Sequence, residues 1–480
     1  MSQSFIHESE SENFYLYDDN HRLSMWVHPE FEKAFKTSKE VEPYYWGKYT
    51  YLKNHGFFAK SELANFETII DESIVKESII QTNQIIFEVT DFCNLSCTYC
   101  AYGELYKEFE ARNLKNMKIS NAVTLLKYLF TLSPQNNNRK LLISFYGGEP
   151  LLNMNFIKQI VKVANQLNIE KEINIFYSMT TNATLIHKHI SFLVANKFRL
   201  LISLDGNEKN HSYRVFKENN KNSFRKVIEN IDMIQRDYPE YFDSNVNFNA
   251  VLHNRNSVKE IFDFIFTRYQ KIPRIAELSL NGVNSDKKEL FEKMFQGKRE
   301  SESKYQKEEF NLLPHDELLL YKELVNFLKF CSINYYIANI TSLLLNNESK
   351  YVPTNTCLPF SKKIFLTTCN KLLPCERISH KYTMGIVKKN ARIDIPRIAQ
   401  QFSSYYEHLK KVCQYCYAYR YCGVCMFCNI HNLDKLDKEE FICNQFYDQK
   451  AFQNKLYRIF SFLEKYPNDF AQILENFIIE

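Results

Sequence analysis

No run in the sequence approaches the ~18 consecutive apolar residues that a membrane-spanning helix requires. A membrane-embedded class is therefore excluded, and no membrane partner is expected. Met1–Glu12 is polar and acidic, without a basic region leading into an apolar stretch. A secretory signal is not expected there, and a cytoplasmic location is. A one-signed charge excess is also lacking: 61 Lys and Arg against 56 Asp and Glu leave +5. That surplus does not argue for nucleic acid, although it is compatible with an acidic peptide partner. Glycine is scarce, at 10, whereas tyrosine and phenylalanine reach 31 and 39. With the many Asn, Lys and Ile residues, this reads as a base-composition bias and points to no function. No internal repeat or low-complexity tract interrupts the chain. Its 480 residues, 45 % hydrophobic and 24 % charged, are those of a soluble globular protein of two or three domains. What the chain does have is cysteine, 13 in all. In a reducing compartment these are expected to be metal ligands rather than disulfides.

Three of them, Cys93, Cys97 and Cys100, are spaced C-x3-C-x2-C directly after Gln84–Thr90. That apolar, β-branched run reads as a strand, so the trio sits on the loop leaving its C-terminal end. Three thiolates from one tight loop can hold three corners of a cubane iron–sulfur cluster, leaving the fourth iron open to an exogenous ligand. A structural zinc loop is the alternative. Zinc prefers four ligands, usually as two separated pairs, and no fourth Cys or His is close by in sequence.

From residue 83 to about 285 the chain alternates strand and helix. Strand-like runs are Gln84–Thr90, Leu141–Tyr146, Ile173–Met179, Leu200–Leu204, Val246–Leu252 and Ala276–Leu280. Helical periods lie between them at Ala122–Leu132, Phe156–Leu167, Lys188–Asn196, Phe224–Gln235 and Val258–Tyr269. Six strands with five interposed helices predict an α/β fold, a parallel sheet with right-handed crossovers. Residues 1–82 lack cysteine and are rich in aromatics, and are expected to form a small separate α+β region. Residues 286–350 are charged, then helical over Glu317–Phe330, and read as a connector in which Cys331 is a buried small hydrophobe. Residues 351–450 hold nine cysteines. Phe452, Leu456, Ile459 and Leu463 predict a terminal helix within 451–480.

With Tyr99 just before its last cysteine, the first trio resembles the signature of the radical S-adenosylmethionine (SAM) enzymes. The resemblance implies a partial (β/α)6 barrel in which SAM chelates the open iron through its amino and carboxylate groups. One electron from the cluster would then cleave SAM to methionine and a 5′-deoxyadenosyl radical. In such barrels the chemistry sits at the C-terminal ends of the strands. The second strand ends in Tyr146-Gly147-Gly148-Glu149-Pro150. Its glycines let the backbone approach a ligand, and a carbonyl or carboxylate there can accept from an ammonium group; a plain turn would read the same. The resemblance implies contact between this motif and the SAM amino group. The third strand ends in Ser178–Ala183, similar to the family's T-N-G-T-L-L stretch but with Ala183 in place of glycine, so that turn is expected to differ locally. Ser203-Leu204-Asp205-Gly206, followed by Arg214, resembles the family's S-x-D-G pattern. It implies that Ser203 bonds the SAM ribose and Arg214 its carboxylate, a task that suits a guanidinium fork. A helix cap and a solvated charge are the plain alternatives for these two.

The tail cysteines are Cys357, Cys369, Cys375, Cys413, Cys416, Cys422, Cys425, Cys428 and Cys443. One zinc site on the pairs Cys413/Cys416 and Cys422/Cys425 leaves five unexplained, whereas two cubanes use eight of the nine. The region resembles the SPASM extension of radical SAM maturases, C-x(9–15)-G-x4-C, a gap, C-x2-C-x5-C-x3-C, a gap, then C. Cys357, Asn370 and Cys375 fit the first part, with Asn in place of Gly; Asn also tolerates the left-handed backbone. Cys413, Cys416 and Cys422 fit the second part, after which Cys425 comes one residue early and Cys428 is additional. The resemblance implies three 4Fe-4S clusters. The first auxiliary one takes Cys357, Cys375 and Cys425 or Cys428, with Cys369 open as a fourth; the second takes Cys413, Cys416, Cys422 and Cys443. Glu376 stands where sulfatase-maturing members carry an acidic residue that removes a proton from the substrate. A surface Glu, or a salt bridge to Arg377, is the plain alternative.

The expected activity is post-translational modification of a ribosomally made peptide, giving a thioether, ether or carbon–carbon cross-link or an oxidised side chain. Residues 1–82 would either pack as a cap on the next domain or dock the precursor's leader by β-augmentation, and a flavodoxin or ferredoxin would supply electrons. One alternative is an anaerobic sulfatase-maturating enzyme forming formylglycine. Its usual form places the cysteine loop close to the N-terminus. The other is a non-catalytic zinc or electron-transfer protein.

Overall fold

In the computed structural model, the described residues are 4–37, 40–59, 64–110, 112–134, 138–305, 318–332, 351–438 and 440–468. They open with an antiparallel sheet of β1 (Phe5–Glu8), β2 (Phe14–Asp18) and β3 (Leu23–Val27), in that order. Helices α1 (Pro29–Phe35) and α2 (Pro43–Asn54) follow. Proline begins each of them, where the missing N–H costs no hydrogen bond. Helix α3 (Glu72–Ile80) is capped by the Asp71 carboxylate, which accepts from Ile74 N at 2.9 Å.

The barrel strands follow from runs apolar enough to be covered on both faces. β4 (Gln84–Thr90) buries six of its seven residues. After the short β5 (Leu95–Cys97) come α4 (Ile119–Leu132), β6 (Lys140–Gly147), α5 (Met154–Asn168), β7 (Asn174–Thr181), α6 (Ile190–Ala195) and β8 (Arg199–Ser203). Then come β9 (Arg214–Phe216), α7 (Phe224–Asp237), α8 (Pro239–Asn245), β10 (Val246–Val251), α9 (Val258–Tyr269) and β11 (Arg274–Ala276). Strands β4, β6, β7, β8, β10 and β11 are parallel neighbours in that order. The expected six-stranded α/β arrangement is present, so all six strands point their C-terminal ends to one mouth. Ser257 caps α9 by accepting from Glu260 N at 3.1 Å, which stops the preceding loop and starts the helix.

Two features differ from the expectation. The sixth strand is Arg274–Ala276, not Ala276–Leu280. Leu280 is exposed, and Leu278 is drawn away to pack with Tyr99, Tyr106 and Phe291 beside the cysteine loop. The sheet also does not end with the barrel. β12 (Lys363–Leu366) lies parallel to β4, and β13 (Lys371–Leu373), β14 (Gly385–Val387) and β15 (Ala391–Ile393) continue it antiparallel to a total of ten strands. The cysteine-rich tail is thus hydrogen-bonded directly to the first barrel strand, and Phe402, Val424 and Met426 of the tail share the barrel's core.

Between barrel and tail lie α10 (Lys288–Met294), α11 (Lys298–Ser303) and α12 (Leu319–Phe330). Glu317, and the connector stretches 306–317 and 333–350, lie outside the described residues. The terminal helix is Gln449–Lys465, with 469–480 outside the described residues. Its Phe452, Leu456 and Ile459 pack on Phe5 and Tyr17 of the first sheet and on Phe327 and the fully buried Cys331.

Candidate cofactor sites at the barrel mouth

The loop after β4 is pinned by Asp91, whose carboxylate accepts from Asn113 N at 2.9 Å and Lys115 N at 2.8 Å. Cys93, Cys97 and Cys100 follow, all free and half-buried. Cys100 N donates to Cys97 O at 3.1 Å, and β5 pairs antiparallel with β9 so that Cys97 faces Arg214. Burial pushes the Cys93 thiol up to about 11, helped by the Glu149 carboxylate, and the Cys97 thiol up to about 12, opposed by Arg214. Bare thiolates are therefore disfavoured here, and a bound cation would reverse that preference. Among the described residues no three Cys, His, Asp or Glu side chains converge on a point that one metal ion could fill. A cubane asks for less convergence, because each thiolate binds a different iron.

The glycine turn lies against this loop. Gly148 N donates to Thr90 O at 2.7 Å and Glu149 N to Phe92 O at 2.9 Å. A Cβ on Gly148 would sit 1.9 Å from Phe92 O, and one on Gly147, at φ +125°, 2.3 Å from Thr90 O. Glycine is required at both places because the backbone that carries Cys93 occupies the space. Glu149 is fully buried, and burial pushes its carboxyl up to about 7. It accepts from Thr181 Oγ1 at 2.7 Å, Asn182 N at 2.8 Å and Leu151 N at 3.1 Å, tying the end of β6 to the end of β7. Asn182 in turn donates to Asn94 Oδ1 at 2.9 Å and lies 3.8 Å from Cys93 Sγ. Ala183 itself takes the left-handed backbone, φ +61°, and Asn230 Nδ2 holds its carbonyl at 2.7 Å. Alanine thus occupies the conformation in which glycine was looked for.

Ser203 ends β8, half-buried and opposite Asn249 of β10. Arg214 is buried and forked onto Asp205, Nε to Oδ2 at 2.9 Å and Nη2 to Oδ1 at 3.0 Å, so Nη1 is the guanidinium nitrogen outside that pair. Despite its burial, the Asp205 carboxyl is held well below the usual range, chiefly by Arg214. The Tyr99 hydroxyl also donates to Asp205 Oδ2, its ring lies 5.4 Å from the Arg214 guanidinium, and His253 stacks on it at 5.6 Å. The aromatic residue before the last cysteine therefore locks the cysteine loop to the end of β8.

The tail gathers its cysteines in two groups. Cys413, at the end of helix Ile395–Cys413, lines one small cavity with Cys416, Cys422 and Cys443. Cys425 and Cys428 lie beside one another, and the interaction between the two thiols holds Cys425 low and Cys428 high. Cys375 lies within electrostatic reach of Cys428, and Cys357 joins Cys425 beside Tyr406. Cys369 is not in either group: it faces Lys115 Nζ at 3.5 Å and Glu110. Asn370 takes φ +68°, the left-handed turn expected of it. Glu376 pairs with Lys363, at 3.0 and 3.2 Å from Nζ, rather than with Arg377, and Cys375 Sγ is 3.4 Å from its Oε2. Tyr146, at the end of β6, meets Phe365 of β12 edge-on at 6.4 Å, and its hydroxyl is pushed up by burial, with Glu376, Cys100 and Cys375 adding to the rise. It stands between the barrel trio and the tail.

Residues 87–265 match the radical SAM superfamily model. The chain carries a radical SAM domain. It is 32 % identical over 191 residues to the cysteine-type anaerobic sulfatase-maturating enzyme of Clostridium novyi, which is 39 % of this chain and 48 % of that protein. It is 26 % identical over 262 residues to the radical SAM cyclopropyl synthase TigE of Paramaledivibacter caminithermalis, covering 52 % and 48 %. The chain thus spans about half the length of these curated relatives. Among solved structures, native anSMEcpe with bound AdoMet and Kp18Cys peptide superposes with a TM-score of 0.53 at 19 % identity, over 82 % of this chain and 99 % of that one. At that identity the likeness establishes the fold. No helix of the described residues is long and apolar enough to cross a membrane.

Within the radical SAM domain, Cys93, Cys97, Cys100, Gly147, Gly148 and Arg214 lie at one mouth, with Glu149 buried behind them. Sequence reasoning missed Asp205, Asn182 and Tyr146 as partners of the site. Asp205 was visible inside the S-x-D-G stretch. Tyr146 and Asn182 likewise lay inside the Y-G-G-E-P and T-N stretches, but which loop ends they join is not encoded in those local patterns.

Proposed function

We propose that this chain is a radical SAM maturase that modifies a ribosomally made peptide. The reading rests on one juxtaposition: a three-cysteine loop packed directly on a G-G-E turn, Gly148 N to Thr90 O 2.7 Å, at the mouth of a parallel half-barrel. Cys93, Cys97 and Cys100 would hold a 4Fe-4S cluster, with Gly147, Gly148, Ser203 and Arg214 around SAM. When bound, the cluster and SAM would supply the radical chemistry directed at a C–H bond of the peptide. The chain's own residues orient and shield. Tyr99, Asp205 and Arg214 fix the loop to β8, so that the protein supplies position while the cofactor supplies the chemistry. Cys413, Cys416, Cys422 and Cys443 would hold one auxiliary cluster. Cys357, Cys375 and Cys425 or Cys428 would hold another, as in a SPASM extension. Glu376, positioned by Lys363, would take a proton from the substrate at its carboxylate.

The leader would add to the outer edge of β3, which has no strand partner among the described residues. Beside that edge α2 has no buried residue, and a groove between them is lined by Met25, Trp26, Phe31, Tyr45, Tyr51 and Leu52. An edge strand bordered by apolar side chains suits an extended peptide. A flavodoxin or ferredoxin would donate electrons.

The test is anaerobic incubation with SAM, a reductant and the short peptide encoded beside this gene, read by mass spectrometry. Loss of two hydrogens without added atoms supports cross-linking. Formylglycine on a sulfatase peptide supports the second reading, a sulfatase-maturating activity, which Glu376 beside Cys375 and the name of the Clostridium novyi relative both favour. Zinc without labile sulfide would leave a non-catalytic scaffold.

A further inference from the structure

Arg112 is a half-buried arginine that the first cysteine trio does not need for its connectivity. Its Nη2 lies 3.2 Å from Cys100 Sγ, and the guanidinium sits over the Tyr102 ring at 5.0 Å. No carboxylate forms an ion pair with it among the described residues, and its buried Nε has no hydrogen-bond partner. A guanidinium with its Nε buried and unpartnered and no carboxylate beside it is costly unless sulfur carries the negative charge. We infer that Arg112 is a positioning residue that donates to the Cys100 thiolate and raises the reduction potential of the cluster held by Cys93, Cys97 and Cys100. Hydrogen bonds to ligating sulfurs and a nearby cation both stabilise the more negative, reduced state. Tyr102 holds the planar guanidinium in place by stacking.

The inference rests on the reading that the trio binds a cluster, and the experiment separates the two. Full-length protein is prepared anaerobically, and its reduction is followed by electron paramagnetic resonance against potential. The signal that changes when SAM is added marks the first cluster. If the wild-type protein shows no such signal, the reading itself fails. With the signal present, Arg112→Gln at wild-type iron content is expected to lower the reduced-to-oxidised ratio at fixed potential about tenfold, which is about 59 mV for one electron. Arg112→Lys, which keeps the charge and loses the fork, is expected to fall between. An Arg112→Gln midpoint equal to that of wild type overturns the inference. Should Arg112→Gln lose iron, Tyr102→Leu decides: a shift in the same direction of at least twofold in that ratio supports the inference, and no shift overturns it.

Discussion

Substituting Gly148 by alanine tests the contact on which the site is built. The new methyl would lie 1.9 Å from Phe92 O and 2.3 Å from its carbonyl carbon, and both are backbone atoms that cannot swing away. Ordinary carbon contacts lie at about 3.5–4.0 Å, so either the turn or the segment carrying Cys93 must move by an ångström or more. Overpacking of this kind costs about 1–3 kcal/mol in stability. The displacement matters more than the cost, because a misplacement of about 1 Å can lower a rate by about 10²-fold. Gly148→Ala is therefore expected to lose iron at the first site, or to keep it and release deoxyadenosine from SAM about 10²-fold more slowly. Iron and sulfide analysis with a reductant-started deoxyadenosine assay reads both. Gly47, in α2, has nothing within 4 Å of a built Cβ, so Gly47→Ala should leave iron content unchanged. Wild-type iron and a release rate within about twofold in Gly148→Ala would refute the reasoning.

Asp205→Asn leaves Arg214 buried beside a neutral amide in place of its carboxylate partner. It should cost about 3–5 kcal/mol in chemical unfolding, and an unchanged midpoint would exclude a structural role for the pair. Arg420, between Cys416 and Cys422, is buried on Asp19 in the turn after β2 at 2.7 and 3.1 Å. Asp19→Ala should therefore also cost about 3–5 kcal/mol, read by the same unfolding. Burial raises the Glu149 carboxyl from 4.5 to about 7. Its contribution to stability is thus fully present below 4.5 and is lost as pH rises through about 7. The loss amounts to about 3 kcal/mol; Glu149→Gln should flatten that slope, and an unaltered slope would count against it. Cys416→Ala is expected to retain some uncoupled SAM cleavage while peptide modification stops, which product analysis by mass spectrometry distinguishes.

The barrel was legible because its strands are long, apolar runs: Gln84–Thr90 is a strand over those residues, and Val258–Tyr269 a helix over those residues. The final strand was misplaced because three residues carry too little pattern, and Leu278 is recruited by a neighbouring cluster rather than by the sheet. β12 to β15 were not foreseen for the same reason, each being three or four residues long. Helix α2 hides differently: it buries no residue fully, and the Tyr45, Tyr49 and Leu52 side chains that rest on Leu16, Val27 and Phe31 are interleaved with exposed Tyr44, Trp46 and Tyr51. At the site, the cysteine spacing and the G-G-E turn were visible as local patterns. The partner of Glu376 was not, since Lys363 reaches it from the adjoining strand whereas Arg377 is merely next in sequence. Cys369 sits in the cysteine-rich stretch by count, yet the β12–β13 turn carries it toward Lys115 and Glu110.

The most direct measurement is deoxyadenosine released from SAM by anaerobically prepared, reduced protein, compared with Cys97→Ala. Release by the wild type and none by the variant is predicted. Equal release by both, or a colourless wild-type protein that leaves SAM intact, would contradict the account.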